Sequence, residues 1–307
     1  MNGASPARTE LAMGTLVSIG VICSSPEAEA AIERAFEWFR EIENRCTRFR
    51  ESSELMQLTA RCGEAVPVSA ILFEAVRFAL QVAEESGGAF DPTVGHRMEA
   101  RGFDREHRTG ETIRSGVEAA GDVSYRDVEV DPERGTITLR RPLTLDLGAV
   151  AKGLAVDAAA RELAPFRDFA IDAGGDLYLG GFNARGEPWS VGIRNPRLEN
   201  ELIHSLRVSN QAVCTSGDYE RRTPAGVDGH HILDPRTGMS PPAVASATVV
   251  APGAMLADAL ATAAFVLGPE AGIELLERMG VEGLIVTGEL KRFETRGLGS
   301  VEHINVA

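Results

Sequence analysis

Hydrophobic positions along the chain repeat with two different periods. Within residues 11–23, Val17, Ile19 and Val21 recur at every second position, which predicts a β-strand. Ser24-Ser25-Pro26 then reads as a helix start, with proline at the first helical position. Ile32, Ala35, Phe36, Phe39 and Ile42 follow at helical spacing, and residues 46–50 form a polar, arginine-rich exit. A second helix is predicted over 69–86, with Leu72, Ala75, Val76, Ala79, Leu80 and Ala83 on its inner face and Gly87-Gly88 stopping it. Residues 89–95 are turn-rich. Residues 97–121 are charged and poorly patterned, which predicts an exposed excursion.

Two alternating runs, 128–130 and 136–139, read as a hairpin joined by 131–135. Residues 145–153 open a helix that runs to about Leu163. Strands are predicted at 169–172, 177–179, 189–193, 203–208, 212–215, 246–250 and 284–287, mostly separated by glycine, proline or asparagine turns. Helices are predicted over 253–267 and 269–279. No internal repeat, low-complexity tract or linker interrupts the chain, so a single domain over 1–307 is expected. Helices among many hairpin-like strands indicate an α+β fold with a largely antiparallel sheet packed with helices.

A hydrophobic content of 44% is enough for a sizeable core. The net charge of −14 argues against a nucleic-acid partner and against an anionic membrane surface. An anionic substrate would need local help from a metal, a lysine or helix N-termini. Cys23, Cys46, Cys62 and Cys214 show no CxxC spacing and no histidine cluster, which reads as free thiols rather than zinc ligands. No run of 18 apolar residues exists, so no transmembrane segment is expected. Residues 11–23 end in a cysteine, as a lipoprotein signal does. Gly14, Thr15, Ser18 and the single Arg8 favour a strand instead, and the expected compartment is the cytoplasm.

Several polar knots could carry chemistry. Asp258 and Thr262 are four residues apart in a helix of alanine, leucine, phenylalanine and valine, so a carboxylate and a hydroxyl share one face. Two hard oxygens one turn apart suit Mg²⁺, although a capping Asp and a Thr bonded to a carbonyl fit as well. Residues 145–153 join a strand to a helix through glycine, and Lys152 could add charge to phosphate-binding N–H groups there, without being a Walker A loop. Residues 171–176 hold paired glycines at a strand end, and 212–218 end a strand in hydroxyls that could line a pocket. Cys214 reads as a core thiol. In the run 230–238, one of the two histidines beside an Asp-Pro turn is a candidate general base; a structural pair of turn histidines is the alternative.

Together these segments resemble the ApbE family of FAD:protein FMN transferases. The resemblance lies in Met13-Gly14-Thr15, residues 90–95, 146–153, 172–176, 189–196, Thr215-Ser216-Gly217, 231–238 and 258–262, in the family's order. It implies an ApbE-type, T-fold-like domain and a Mg²⁺-dependent transfer. FMN from FAD would be attached by a phosphoester to a Thr or Ser of a target flavoprotein, and AMP would leave. The resemblance also implies that Asp258, Thr262 and the Ala149 carbonyl bind Mg²⁺. Met13, Phe49, Phe90, Asp91 and Lys152 would line the FAD site, and His231 would be the base. Many members of the family are exported to the periplasmic side of the inner membrane. Two other readings stay open: a Mg²⁺-dependent FAD pyrophosphatase giving FMN and AMP, and a non-catalytic FAD-binding protein.

Overall fold

The computed structural model describes residues 6–23, 25–106, 109–118, 121–220 and 229–298. In chain order the elements are β1 (Ala7–Ala12), β2 (Thr15–Val21), α1 (Pro26–Cys46), α2 (Glu54–Thr59), β3 (Ala65–Pro67), α3 (Ala70–Glu85), α4 (Gly95–Ala100), β4 (Val128–Asp131), β5 (Thr136–Leu139), α5 (Gly148–Leu163), β6 (Phe169–Ala173), β7 (Asp176–Gly180), β8 (Trp189–Arg194), β9 (Leu202–Val208), β10 (Gln211–Gly217), β11 (Val244–Ala251), α6 (Ala254–Leu267), α7 (Pro269–Arg278), β12 (Glu282–Thr287) and β13 (Arg292–Glu294). All strand pairings are antiparallel, as the hairpin pattern predicts.

These elements fall into two compact units. The first comprises Met1–Arg40, Lys152–Gly217 and Pro242–Ala307; the second comprises Glu41–Ala151 and Asp218–Pro241. The first is built on an eight-stranded sheet in the order β1-β2-β6-β7-β10-β11-β12-β13. Register sorts its side chains onto two faces. Leu179, Val213, Val250, Leu284 and Val286 meet Val191, Ile193, Leu206 and Val208 of the β8–β9 ribbon. On the opposite face Cys214 and Ser216 reach α6. All eight residues of β11 are buried, so the strand is covered on both faces, with Ser246 and Thr248 as its buried polar residues.

The strand predicted within 11–23 is in fact the second half of a hairpin. Met13 and Gly14 both have positive φ, 49° and 76°, and Ala12 pairs with Thr15. A two-residue turn of this kind matches the twist of the flanking strands. At the predicted helix start, the Ser25 hydroxyl accepts the N–H of Ala28 and Pro26 opens α1. Ser24 lies outside the described residues.

The second unit carries the three-stranded sheet β3-β5-β4 and helices α2 to α4. Ser53 caps α2 and Ser69 caps α3 through hydroxyls that accept the N–H groups of Met56 and Leu72. Within 97–121, Arg105 and Thr112 form an isolated bridge, and the buried Asp104 accepts Nε of Arg114 at 2.7 Å. Residues 107–108 and 119–120 of that segment lie outside the described residues.

Candidate active site

In the first unit the site begins with the start of α6. Gly253 occupies the N-cap position and has no side chain with which to cap the helix. Asp157 of α5 replaces it: Oδ1 accepts the N–H of Ala254 at 2.6 Å and Oδ2 that of Met255 at 3.0 Å. Burial pushes the Asp157 carboxyl up, against the two N–H groups that stabilise its charge. One turn earlier on α5, Gly153 lets the helices touch. A Cβ there would lie 2.5 Å from the Ala254 carbonyl oxygen and the Met255 Cα.

That close approach sets Lys152 beside α6. Its Nζ lies 3.4 Å from Oδ2 of Asp258 and is also paired with Asp176 at the start of β7. Asp258 and Asp176 are 7% and 3% exposed. Asp258 is the fifth residue of α6, so it does not cap the helix, and among the described residues its carboxylate has no closer partner than Lys152. One turn on, the Thr262 and Ser216 hydroxyl oxygens are 3.1 Å apart. Two buried carboxylates around one ammonium leave a formal net charge of −1 beside these two hydroxyls. The Cys214 thiol is fully buried beneath them and is pushed well up by burial, which makes it an inert core thiol.

The structure thus brings together Lys152, Asp258 and Thr262 and adds Asp176 and Ser216. Met13 lies in the same unit, half-buried at the tip of the β1–β2 turn.

The remaining predicted residues belong to the second unit. Phe90 is buried. Both oxygens of Asp91 are engaged by protein: Oδ1 accepts the N–H and hydroxyl of Thr93 at 2.9 and 2.7 Å, and Oδ2 accepts the N–H of Tyr125 at 2.9 Å. Burial raises its carboxyl above the usual range in spite of those bonds. Phe49 is half-buried under the Arg48 guanidinium, 4.2 Å from the ring centroid. Arg48 is itself buried and paired with Asp146, whose other oxygen accepts the N–H of Gly148 at 2.8 Å. At Ala149 the backbone leaves helical geometry (φ −93°, ψ 16°), which kinks the first turn of α5.

In the run 230–238 the two histidines divide. His230 is buried, exchanges hydrogen bonds with Ser240 through its backbone, and has its imidazole pushed down by burial. His231 is half-buried and stands edge-on to Phe103, with ring centroids 6.5 Å apart. Asp234 organises the turn by accepting the N–H and guanidinium of Arg236.

Sequence reasoning did not single out Asp176 or Arg48 as individual site residues. Asp176 stood inside the paired-glycine segment, which was the available signal. Arg48 carried none, because its partner lies 98 residues away.

Residues 13–285 match the model of the ApbE family. The chain belongs to the ApbE family. A relative from Treponema pallidum named FAD:protein FMN transferase is 36% identical, over 91% of this chain and 84% of its own length. One of the same name from Vibrio cholerae is 29% identical, over 89% and 85%. Among solved structures, the ApbE protein of Thermotoga maritima superposes with a TM-score of 0.86 at 30% identity, covering 97% of this chain and 99% of that one. The flavin transferase ApbE of Vibrio cholerae gives 0.81 at 25% identity, covering 97% and 100%. The mixed helix and antiparallel-sheet architecture is therefore that of ApbE proteins.

Proposed function

We propose that this chain is an FAD:protein FMN transferase that works with Mg²⁺. A hydroxyl oxygen of a Thr or Ser on a target flavoprotein forms a bond to the FMN phosphorus of FAD. The pyrophosphate P–O bond breaks, AMP leaves with its electron pair, and the hydroxyl proton passes to His231.

The observation that carries this reading, beside membership of the family, is the cluster of Lys152, Asp258, Thr262 and Ser216. The donor set fits a hard divalent cation. Asp258 is a buried carboxylate whose nearest partner among the described residues is Lys152 at 3.4 Å, a hydroxyl stands one helical turn away, and the cluster carries net negative charge. Asp258 and Thr262 would hold Mg²⁺, which when bound supplies charge neutralisation on phosphate oxygens. The Ala149 carbonyl, at the kink in α5, is the third ligand that the family pattern implies. Lys152 adds a positive charge in a chain of net −14. Transfer of a phosphoryl group needs charge neutralisation and positioning more than a covalent protein intermediate, and this residue set offers the former.

The test is incubation of the purified protein with FAD, with and without Mg²⁺, and with a flavoprotein that carries a threonine acceptor site. AMP release that depends on Mg²⁺, with flavin fluorescence retained on the denatured acceptor, is expected. AMP and free FMN without labelled acceptor would instead indicate hydrolysis. Asp258→Ala is expected to remove the Mg²⁺-dependent activity from a folded protein; full activity at saturating Mg²⁺ would refute the metal assignment.

A further inference from the structure

The Lys152 ammonium has two buried acidic neighbours, Asp176 and Asp258. It is paired with Asp176 and lies 3.4 Å from Asp258. The two carboxylates come from different elements: Asp258 from α6, and Asp176 from the first residue of β7, just after the positive-φ pair Gly174-Gly175. Asp176 is 3% exposed, and its one oppositely charged partner among the described residues is Lys152. A carboxylate buried this deeply needs a counter-charge, and a lysine between two carboxylates will move to whichever is not otherwise neutralised.

We propose that Asp176 is a positioning residue that balances the charge of Lys152, so that Asp258 stays available to a divalent cation. The proposal rests on the reading of Asp258 and Thr262 as cation ligands. With Asp176 in place, a cation at Asp258 faces a lysine whose charge is already balanced. Without it, the ammonium loses that anion, turns to Asp258 and competes for the same oxygen. Local net charge follows the same logic. It is −1 in the native cluster, 0 in Asp176→Asn, −1 again in Asp176→Asn with Lys152→Met, and −2 in Lys152→Met alone. Cation affinity should follow that order, not the number of intact native contacts.

The experiment measures binding of Mn²⁺, a hard-oxygen probe for this site, by the loss of its free-ion electron paramagnetic resonance signal in the full-length protein at low salt, with no flavin present. Asp176→Asn is expected to weaken binding about tenfold or more, and the double variant to return to within about threefold of the native value. Lys152→Met alone is expected to bind at least as tightly as the native protein. It keeps both carboxylates, so it tests the charge argument even if Asp176→Asn fails to fold. A merely structural role for Asp176 predicts that adding Lys152→Met gives no rescue. Native-like affinity in Asp176→Asn, a double variant no better than Asp176→Asn, or weakened binding in Lys152→Met would overturn the proposal. Absence of Mn²⁺ binding in the native protein would refute the metal assignment itself, a result distinguishable from all of these.

Discussion

Asp157 on α5 caps α6, a helix that begins 97 residues later in the chain: its two carboxylate oxygens accept the N–H groups of Ala254 and Met255. The start of α6 has only glycine at its N-cap, so these N–H groups depend on another element. The carboxylate also faces the positive end of the helix dipole. Asp157→Ala should therefore destabilise the protein by about 2 kcal/mol, and Asp157→Asn, which keeps one acceptor oxygen, by about 1 kcal/mol. Urea unfolding of the variants checks both values. Equal losses would mean that the acceptor oxygen kept in Asp157→Asn contributes nothing without the charge and the second acceptor.

Gly153→Ala sets two effects against each other. In an exposed helix interior, alanine in place of glycine would stabilise by about 1 kcal/mol. Here the new Cβ would stand 2.5 Å from backbone atoms of Ala254 and Met255, which no side-chain rotation can relieve. Overpacking of this kind costs about 1–3 kcal/mol, so net destabilisation is expected. The same variant should leave divalent-cation affinity unchanged or raise it, because the clash parts α5 from α6 and so moves the competing charge of Lys152 away from Asp258. Urea unfolding and Mn²⁺ titration of this variant read the two effects separately.

The contrast between Lys152 and Asp176 shows what was legible before the fold was known. Strands β4 to β12 and helices α1, α3, α5, α6 and α7 follow from period and punctuation, because their apolar stripes face a core. β3, β13 and α2 are only three to six residues long and carry too few positions for a period. The first hairpin looks like one strand in the sequence because Met13-Gly14 lacks the usual Asn-Gly or Asp-Gly signature, although it adopts the same positive-φ geometry. Asp258 and Thr262 were legible because their relationship is local to one helix. Lys152 and Asp258 are 106 residues apart, and only the α5–α6 contact joins them. Asp176 and Arg48 owe their importance to burial and to partners distant in sequence, neither of which a linear pattern encodes.

Arg48 illustrates the cost of that missing information. It is 4% exposed, lies over Phe49 and is paired with Asp146, which in turn holds the first N–H of α5. Arg48→Met should cost about 3 kcal/mol, because it removes the counter-charge of a mostly buried carboxylate. Arg48→Lys keeps the charge but loses the planar fork and the stacking on Phe49, so it should recover only part of that loss. Chemical denaturation of both variants provides the check, and a fully stable Arg48→Lys protein would show that charge alone suffices.

His230 and His96 give the fold a defined pH dependence. Burial lowers both imidazoles below the ordinary value of 6.5, outweighing the carbonyls of Pro241 and Thr93 that favour the protonated form. The native state therefore holds these rings neutral in a range where the unfolded chain binds protons. Their contribution to stability is present above pH 6.5 and is lost as pH falls from there through the lower folded values. The urea midpoint should accordingly drop on acidification below pH 6.5, before the range in which most carboxylates titrate. His230→Gln removes one of the two groups and should flatten that part of the profile, whatever it does to stability at pH 8; His96→Gln should flatten it further when combined. An unchanged slope in the double variant would show that neither imidazole is held neutral by the fold.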